Sequence, residues 1–213
     1  MLANGIFVAL LLLAVVKTWS QPLTRGWMRW GACVLLGIGL ASRANFFLLT
    51  PLLGMLLWRQ AGFRRAFLAL AVAGLVAVAI TLPFYLNDPG GFTPLLARQK
   101  LSVGGGNLPW AGQAIIAATF LTALIGAWRL WRAARGPLAP LFFRWCALVT
   151  VTPMIGAVLV SSWIQGRPDF EFMRDRFGLM LVCFGLLGWG GRWLREPSGK
   201  SETPLPIPCG KCL

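Results

Sequence analysis

The chain contains apolar stretches that are long enough to cross the hydrocarbon layer of a bilayer, which is roughly 30 Å thick. Four of them cover residues 66–86, 111–131, 141–163 and 177–194, and a further one covers residues 2–16. Hydrophobic residues make up 57% of the 213 positions and charged residues only 12%, which exceeds what a soluble core of that size can bury. The sequence therefore predicts an all-α fold, a polytopic transmembrane helical bundle.

The apolar run over residues 30–58 is too long for one simple span, and polar residues interrupt it. Ser42, Arg43 and Asn45 divide the run into two apolar pieces of roughly a dozen residues each. This pattern predicts a short, broken helical hairpin around Arg43. When the hairpin counts as two crossings, the chain has about seven membrane segments.

Lysine and arginine residues fall between the apolar stretches and form no continuous stripe, so the net charge of +14 indicates membrane topology and no nucleic-acid binding. Fourteen of the 20 fall on one side of the predicted bundle. The other side carries Arg43, Arg98, Lys100, Arg167, Arg174, Arg176, Asp88, Asp169, Glu171 and Asp175. Because cytoplasmic loops carry the excess of positive charge, we expect a multi-pass protein of the bacterial inner (plasma) membrane, with its N-terminus outside and its C-terminus in the cytoplasm. Residues 1–195 then form the membrane domain, and the Pro-rich residues 196–213 a disordered cytoplasmic tail.

The composition excludes most metal-dependent and histidine-based chemistry. The chain contains no His, and Cys209 and Cys212 form a single CxxC pair, whereas a structural zinc site needs four ligands. The sequence therefore predicts no metal site and no cofactor. It leaves the role of Cys209 and Cys212 open.

Arg43 is the first candidate functional residue. A guanidinium at membrane depth costs several kcal/mol unless it is paired or hydrated, so such a group usually faces a cavity, a ligand or a carboxylate. The alternative is that Arg43 lies at a loop tip and snorkels to the outer headgroups.

The segment 82–92 (LPFYLNDPGGF) lies on the same predicted side as Arg43. It ends a span and places Asp88 in a turn rich in Pro and Gly, for which a simple helix stop is the alternative reading. The residues that follow it predict a short interfacial helix, with Arg98 and Lys100 at the water side.

The segment 167–178 (RPDFEFMRDRFG) is dense in both signs of charge. Arg174 and Arg176 are apt residues for holding an anionic substrate. The alternative is that these surface charges pair with one another.

Two of these segments together resemble a known family. Residues 39–53 (GLASRANFFLLTPLL), a basic loop and then LPFYLNDPGGF are similar to the carboxyl-terminal half of the GT-C glycosyltransferases, and most of all to the bacterial branch that depends on polyprenol-phosphate-mannose. The resemblance covers roughly residues 30–100. It implies an extracytoplasmic active site that uses a polyprenyl-phosphate sugar donor, with Arg43 at the family's basic position near the donor phosphate and Arg174 and Arg176 at the basic residues before a late span.

Sugar transfer needs a base for the acceptor hydroxyl and cations for the phosphate leaving group. The cations predicted to bind the donor phosphate are Arg43, Arg98, Lys100, Arg174 and Arg176. The family carries its catalytic carboxylate in a first outer loop that nothing here matches, so we expect the base to lie upstream of Met1, in a longer protein of which this chain is a fragment or truncated form. Asp88 is the second, weaker candidate for the base; among the carboxylates on this side it is chosen because it is the least likely to pair with a neighbouring arginine.

Two further classes of function stay open. Broken helices and an intramembrane Arg suit a transporter or lipid-handling protein equally well. A noncatalytic membrane subunit would instead pack small-residue faces against a partner, with Gly37 and Ala41 or Gly185, Gly188 and Gly190 as the candidate faces.

Overall fold

The computed structural model describes residues 2–20, 26–41, 44–89, 110–133, 138–166 and 178–189, and within these ranges it contains helices and no strand. The elements follow in the order α1 (Leu2–Ser20), α2 (Gly26–Ala41), a 3-10 helix (Ala44–Leu49), α3 (Thr50–Ala61), α4 (Phe63–Asn87), α5 (Ala111–Arg132), α6 (Leu138–Gln165) and α7 (Gly178–Trp189). The predicted all-α fold is confirmed for this part of the chain.

Three helices are long and apolar enough to cross a membrane, namely α4, α5 and, over Leu138–Trp163, α6. Their bounds closely match three of the predicted stretches. The sequence predicts about seven membrane segments, and three such helices are fewer than that. The 16 residues of α2 extend only about 24 Å and the 12 residues of α3 only about 18 Å, both short of the hydrocarbon thickness.

Large apolar side chains of α4 are exposed on the surface of the bundle. Phe67 is 63% exposed, and Leu75 and Phe84 are each 69% exposed. Apolar side chains exposed to this extent along a helix of span length are costly in water and match the interior of a bilayer. The long helices are therefore compatible with membrane association.

The α-helical structure is interrupted between α2 and α3, where polar residues interrupt the apolar run. The helix α2 ends at Ala41, and α3 begins at Thr50 with Pro51 in its first turn, a position at which the missing N–H costs nothing. The two pieces are not packed as a hairpin pair, because α2 packs on α1 and α4 whereas α3 packs on α4 and α5. The six-residue 3-10 helix lies between them in the chain and leads from the helices that contact α2 to those that contact α3.

The short helix α3 lies at the centre of the bundle, in contact with α1, α4, α5 and α6. Its Leu52, Leu53, Leu56 and Leu57 are each at most 1% exposed. In lipid such burial stabilises mainly through van der Waals packing, which a smaller side chain would lose. The central position of α3 fixes the distance between α4 and α5 on its two flanks.

Small residues bring α2 close to α4. Ala69, Ala73 and Ala77 form a fully buried stripe on α4, and Gly37 of α2 lies against it. A Cβ at position 37 would come 2.5 Å from the carbonyl oxygen of Ala73 and 2.7 Å from the Cβ of Val76. The face of Gly37 is thus used inside the chain and is not available for a partner subunit.

Gly188 of α7 is used in the same way. A Cβ there would come 2.8 Å from the backbone nitrogen of Arg144 in α6. A Cβ at Gly185 would meet no atom closer than 4.0 Å, and Gly190 lies outside the described residues.

Consecutive long helices run in opposite directions, so the helix ends form two groups. The contacts that show which helix ends lie together are Trp19 with Trp30, Trp58 with Phe63, Arg59 with Leu130, and Arg144 with Gly188. The last turns of α1, α3, α5 and α7 lie with the first turns of α2, α4 and α6, and we call this the basic end. We call the opposite group the far end; it holds the 3-10 helix and the C-terminal turns of α4.

Candidate functional site

Charge is segregated between the two ends. The eight described Lys and Arg residues all lie at the basic end: Lys17, Arg29, Arg59, Arg64, Arg65, Arg129, Arg132 and Arg144. The carboxylate that the described residues contain, Asp88, lies at the far end. The 22 residues of α5 separate the two ends by about 33 Å.

Three of the arginines cap the C-termini of neighbouring helices. Nε of Arg29 donates to the Thr18 carbonyl of α1 at 3.3 Å, and Nε of Arg144 donates to the Gly188 carbonyl of α7 at 2.9 Å. The last carbonyls of a helix have no partner within it and carry the negative end of its dipole. A guanidinium from the adjacent helix satisfies both the hydrogen bond and the charge.

Arg59 of α3 caps α5 in the same manner and more extensively. Its Nη1 donates to the Leu130 carbonyl at 3.3 Å and to the Trp131 carbonyl, and its Nη2 donates to the Ala133 carbonyl at 3.1 Å. The sequence does not predict these caps, because a basic residue near the end of a span is equally well explained as a topology signal. No local signal separates Arg29, Arg59 and Arg144 from Arg64 and Arg129, which also lie inside helices.

Aromatic rings accompany the cations at the basic end. The ring–ring and cation–ring contacts there are Trp19 with Trp30, Trp58 with Phe63, Arg29 with Trp19, Arg144 with Trp189, and Arg129 and Arg132 with Trp128. Trp residues and basic residues concentrate where a membrane helix meets the headgroups. The basic end thus has the composition of a membrane–water interface.

A short polar connection joins α1 to α3 at this end. Nε2 of Gln60 donates to Oγ of Ser20 at 2.8 Å, and that hydroxyl donates to the Val16 carbonyl at 2.7 Å. Oε1 of Gln60 is buried and has no hydrogen-bond partner among the described residues. This connection ties the central helix to the first one.

Asp88, the candidate base, follows the last residue of α4. Its backbone N–H donates to the Phe84 carbonyl at 3.1 Å, and the residue is exposed. The preceding turns contain Pro83 and the exposed Tyr85, which is 39% accessible.

The five residues predicted to bind the donor phosphate, Arg43, Arg98, Lys100, Arg174 and Arg176, lie outside the described residues. The described residues that flank them are Ala41 and Ala44, Pro89 and Trp110, and Gly166 and Gly178. Pro89, Trp110, Gly166 and Gly178 lie at the far end, whereas Ala41 and Ala44 lie on the far side of the bundle at the end of the shorter helix α2. The segments that carry the five predicted residues therefore join the described bundle on the side that also holds Asp88.

Comparison of the chain with protein-family models, curated proteins and solved structures gives no match. The resemblance to the GT-C glycosyltransferases therefore rests on the patterns at residues 39–53 and 82–92.

Proposed function

We propose that the chain is the membrane module of a glycosyltransferase that moves a sugar from a polyprenyl-phosphate donor to an acceptor hydroxyl at the far end. One observation carries this proposal: the described residues that flank Arg43, Arg98, Lys100, Arg174 and Arg176 all lie on the far side of the bundle, and the described cations are gathered at the opposite end. A lipid-linked phosphate needs several cations close together, and segments that join the bundle on one side are compatible with that requirement.

The proposed reaction divides the work between two kinds of residue. A carboxylate deprotonates the acceptor hydroxyl as it attacks the anomeric carbon, and guanidinium groups stabilise the charge that develops on the leaving phosphate. The carboxylate is Asp88 or lies in a segment upstream of Met1. The far end then faces the extracytoplasmic side, because cytoplasmic ends carry the excess of Lys and Arg.

In this proposal the shorter helices complete a bundle of about seven membrane segments. The pieces α1, α2, and the 3-10 helix together with α3 are apolar over Ile6–Ser20, Gly26–Ala41 and Phe46–Ala61. Paired with the long helices, they reach part of the way through the hydrocarbon layer, and the break beside Arg43 lies towards the far end.

The donor site is tested with membranes that contain the chain, alone or extended by the upstream coding sequence. Arg43→Ala is expected to lower binding of labelled polyprenyl-phosphate mannose by about tenfold or more, since one charge-assisted contact to phosphate contributes about 1.5 kcal/mol or more. Arg64→Ala removes an equal charge at the basic end and should leave binding unchanged. In the extended protein, Asp88→Asn abolishes sugar transfer if Asp88 is the base and spares it if the base lies upstream.

The proposal fails if Arg43→Ala and Arg64→Ala insert normally and bind the donor equally well. Alkaline extraction of the membranes confirms that each variant is inserted. Alteration of complex assembly by Arg43→Ala, with unchanged donor binding, would favour a noncatalytic subunit.

A transporter or lipid-handling protein is the second candidate, and one observation favours it. The central helix α3 has only 12 residues and begins within the bundle after a break, as the half-helices of transporters do. This candidate predicts that labelled donor lipid is moved across reconstituted vesicles without sugar transfer.

A further inference from the structure

Two guanidinium groups converge on one indole ring at the C-terminus of α5. The Cζ atoms of Arg129 and Arg132 lie 5.5 Å and 4.6 Å from the ring centroid of Trp128. Both arginines are exposed, and Trp128 is 43% and Trp131 54% exposed. Like charges held over one ring repel each other, so an anion between them would be favourable.

These two arginines are not needed to cap the helix that carries them. Arg59 already donates to the carbonyls of Leu130, Trp131 and Ala133. No described carboxylate lies at the basic end to neutralise Arg129 and Arg132. An anion from outside the described part of the chain would therefore meet no competition there from a described carboxylate.

The position of the cluster favours a particular partner. It lies at the end of an apolar helix of span length, among exposed Trp rings, and this is the depth of lipid headgroups. We infer that Arg129, Arg132 and Trp128 form a binding site for the phosphate of an anionic phospholipid, with Trp131 against its glycerol region. The site is independent of the sugar-transfer proposal, because it lies at the opposite end of the bundle.

The test uses the full chain in nanodiscs or micelles of phosphatidylcholine and counts added phosphatidylglycerol by native mass spectrometry. Arg129→Gln with Arg132→Gln is expected to weaken phosphatidylglycerol binding at least about tenfold more than the removal of two other exposed cations does. The reason is that a charge-assisted hydrogen bond to the phosphate contributes about 1.5 kcal/mol or more beyond the general surface potential. Trp128→Leu keeps both charges and removes the ring, and it should weaken binding by a smaller factor.

The matched control is Arg64→Gln with Arg65→Gln, which removes two exposed charges from the same end. These residues make no contact with the Trp128 ring among those that the structure gives. The inference holds if the control pair weakens binding about tenfold less than Arg129→Gln with Arg132→Gln does. It is overturned if the two pairs weaken binding equally, since that result indicates a general surface potential, or if neither does.

Two further measurements serve as controls for folding and for the source of the phosphate. Circular dichroism in phosphatidylcholine micelles establishes that each variant is folded before lipid is added. Soluble glycerol phosphate, added at the same concentration as the lipid, should not displace phosphatidylglycerol, and full displacement would overturn the assignment of a lipid site.

Discussion

Removal of the Arg59 side chain should destabilise the bundle more than removal of any exposed cation at the same end. Arg59→Met keeps much of the apolar stem and deletes the donors to α5. Leu130 is 0% exposed, so water cannot easily replace the donor to its carbonyl, and an unsatisfied buried acceptor costs about 1–3 kcal/mol. The carbonyls of Trp131 and Ala133 are closer to solvent and add about 1 kcal/mol together. We therefore expect a loss of about 2–4 kcal/mol.

The measurement is unfolding in mixed micelles, followed by circular dichroism as the mole fraction of a denaturing detergent increases. Arg64→Met deletes an exposed charge at the same end and should change the free energy of unfolding by less than about 0.5 kcal/mol. Arg59→Lys retains a charge without the planar fork and should fall between the two. Equal stabilities of Arg59→Met and Arg64→Met would refute the capping argument.

Two further predictions use the same titration. Gly37→Ala places a Cβ 2.5 Å from the carbonyl oxygen of Ala73 and should destabilise by about 1–3 kcal/mol, whereas Gly74→Ala meets nothing within 4 Å and should be neutral or stabilising by up to about 1 kcal/mol. Equal effects would contradict the close approach of α2 and α4. Leu56→Ala, at a residue 0% exposed, should cost about 2–5 kcal/mol, whereas Leu75→Ala, at one 69% exposed, should change stability little. A small effect at position 56 would show that α3 is not a packed central helix.

The sequence predicts the long helices well, because a span is specified by local composition. The stretch 66–86 became α4, Phe63–Asn87, and the stretch 111–131 became α5, Ala111–Arg132. The break near Ser42 was also predictable, since polar residues are costly within an apolar run. Each of these features is determined by residues that lie close together in the sequence.

Partners that are distant in the chain were not predictable in this way. Arg59 donates to residues more than 70 positions away, and nothing local distinguishes it from the exposed Arg64. The sequence alone makes Gly37 a candidate for a partner surface, because its contact with the alanine stripe of α4 depends on which helices pack together. The predicted role of Arg43 stays a prediction.

The segregation of charge limits which residues of this chain can bind an anionic substrate at the far end. The eight described cations are gathered at the basic end, and a helix of the length of α5 places them about 33 Å away. Among the described residues, no Lys or Arg therefore reaches a phosphate at the far end. The cations that the sequence supplies in the segments joining there are Arg43, Arg98, Lys100, Arg167, Arg174 and Arg176. If donor binding survives the combined replacement of these six by Gln in a protein that still folds, the phosphate is neutralised by a residue outside this chain, and the donor site proposed for it is wrong.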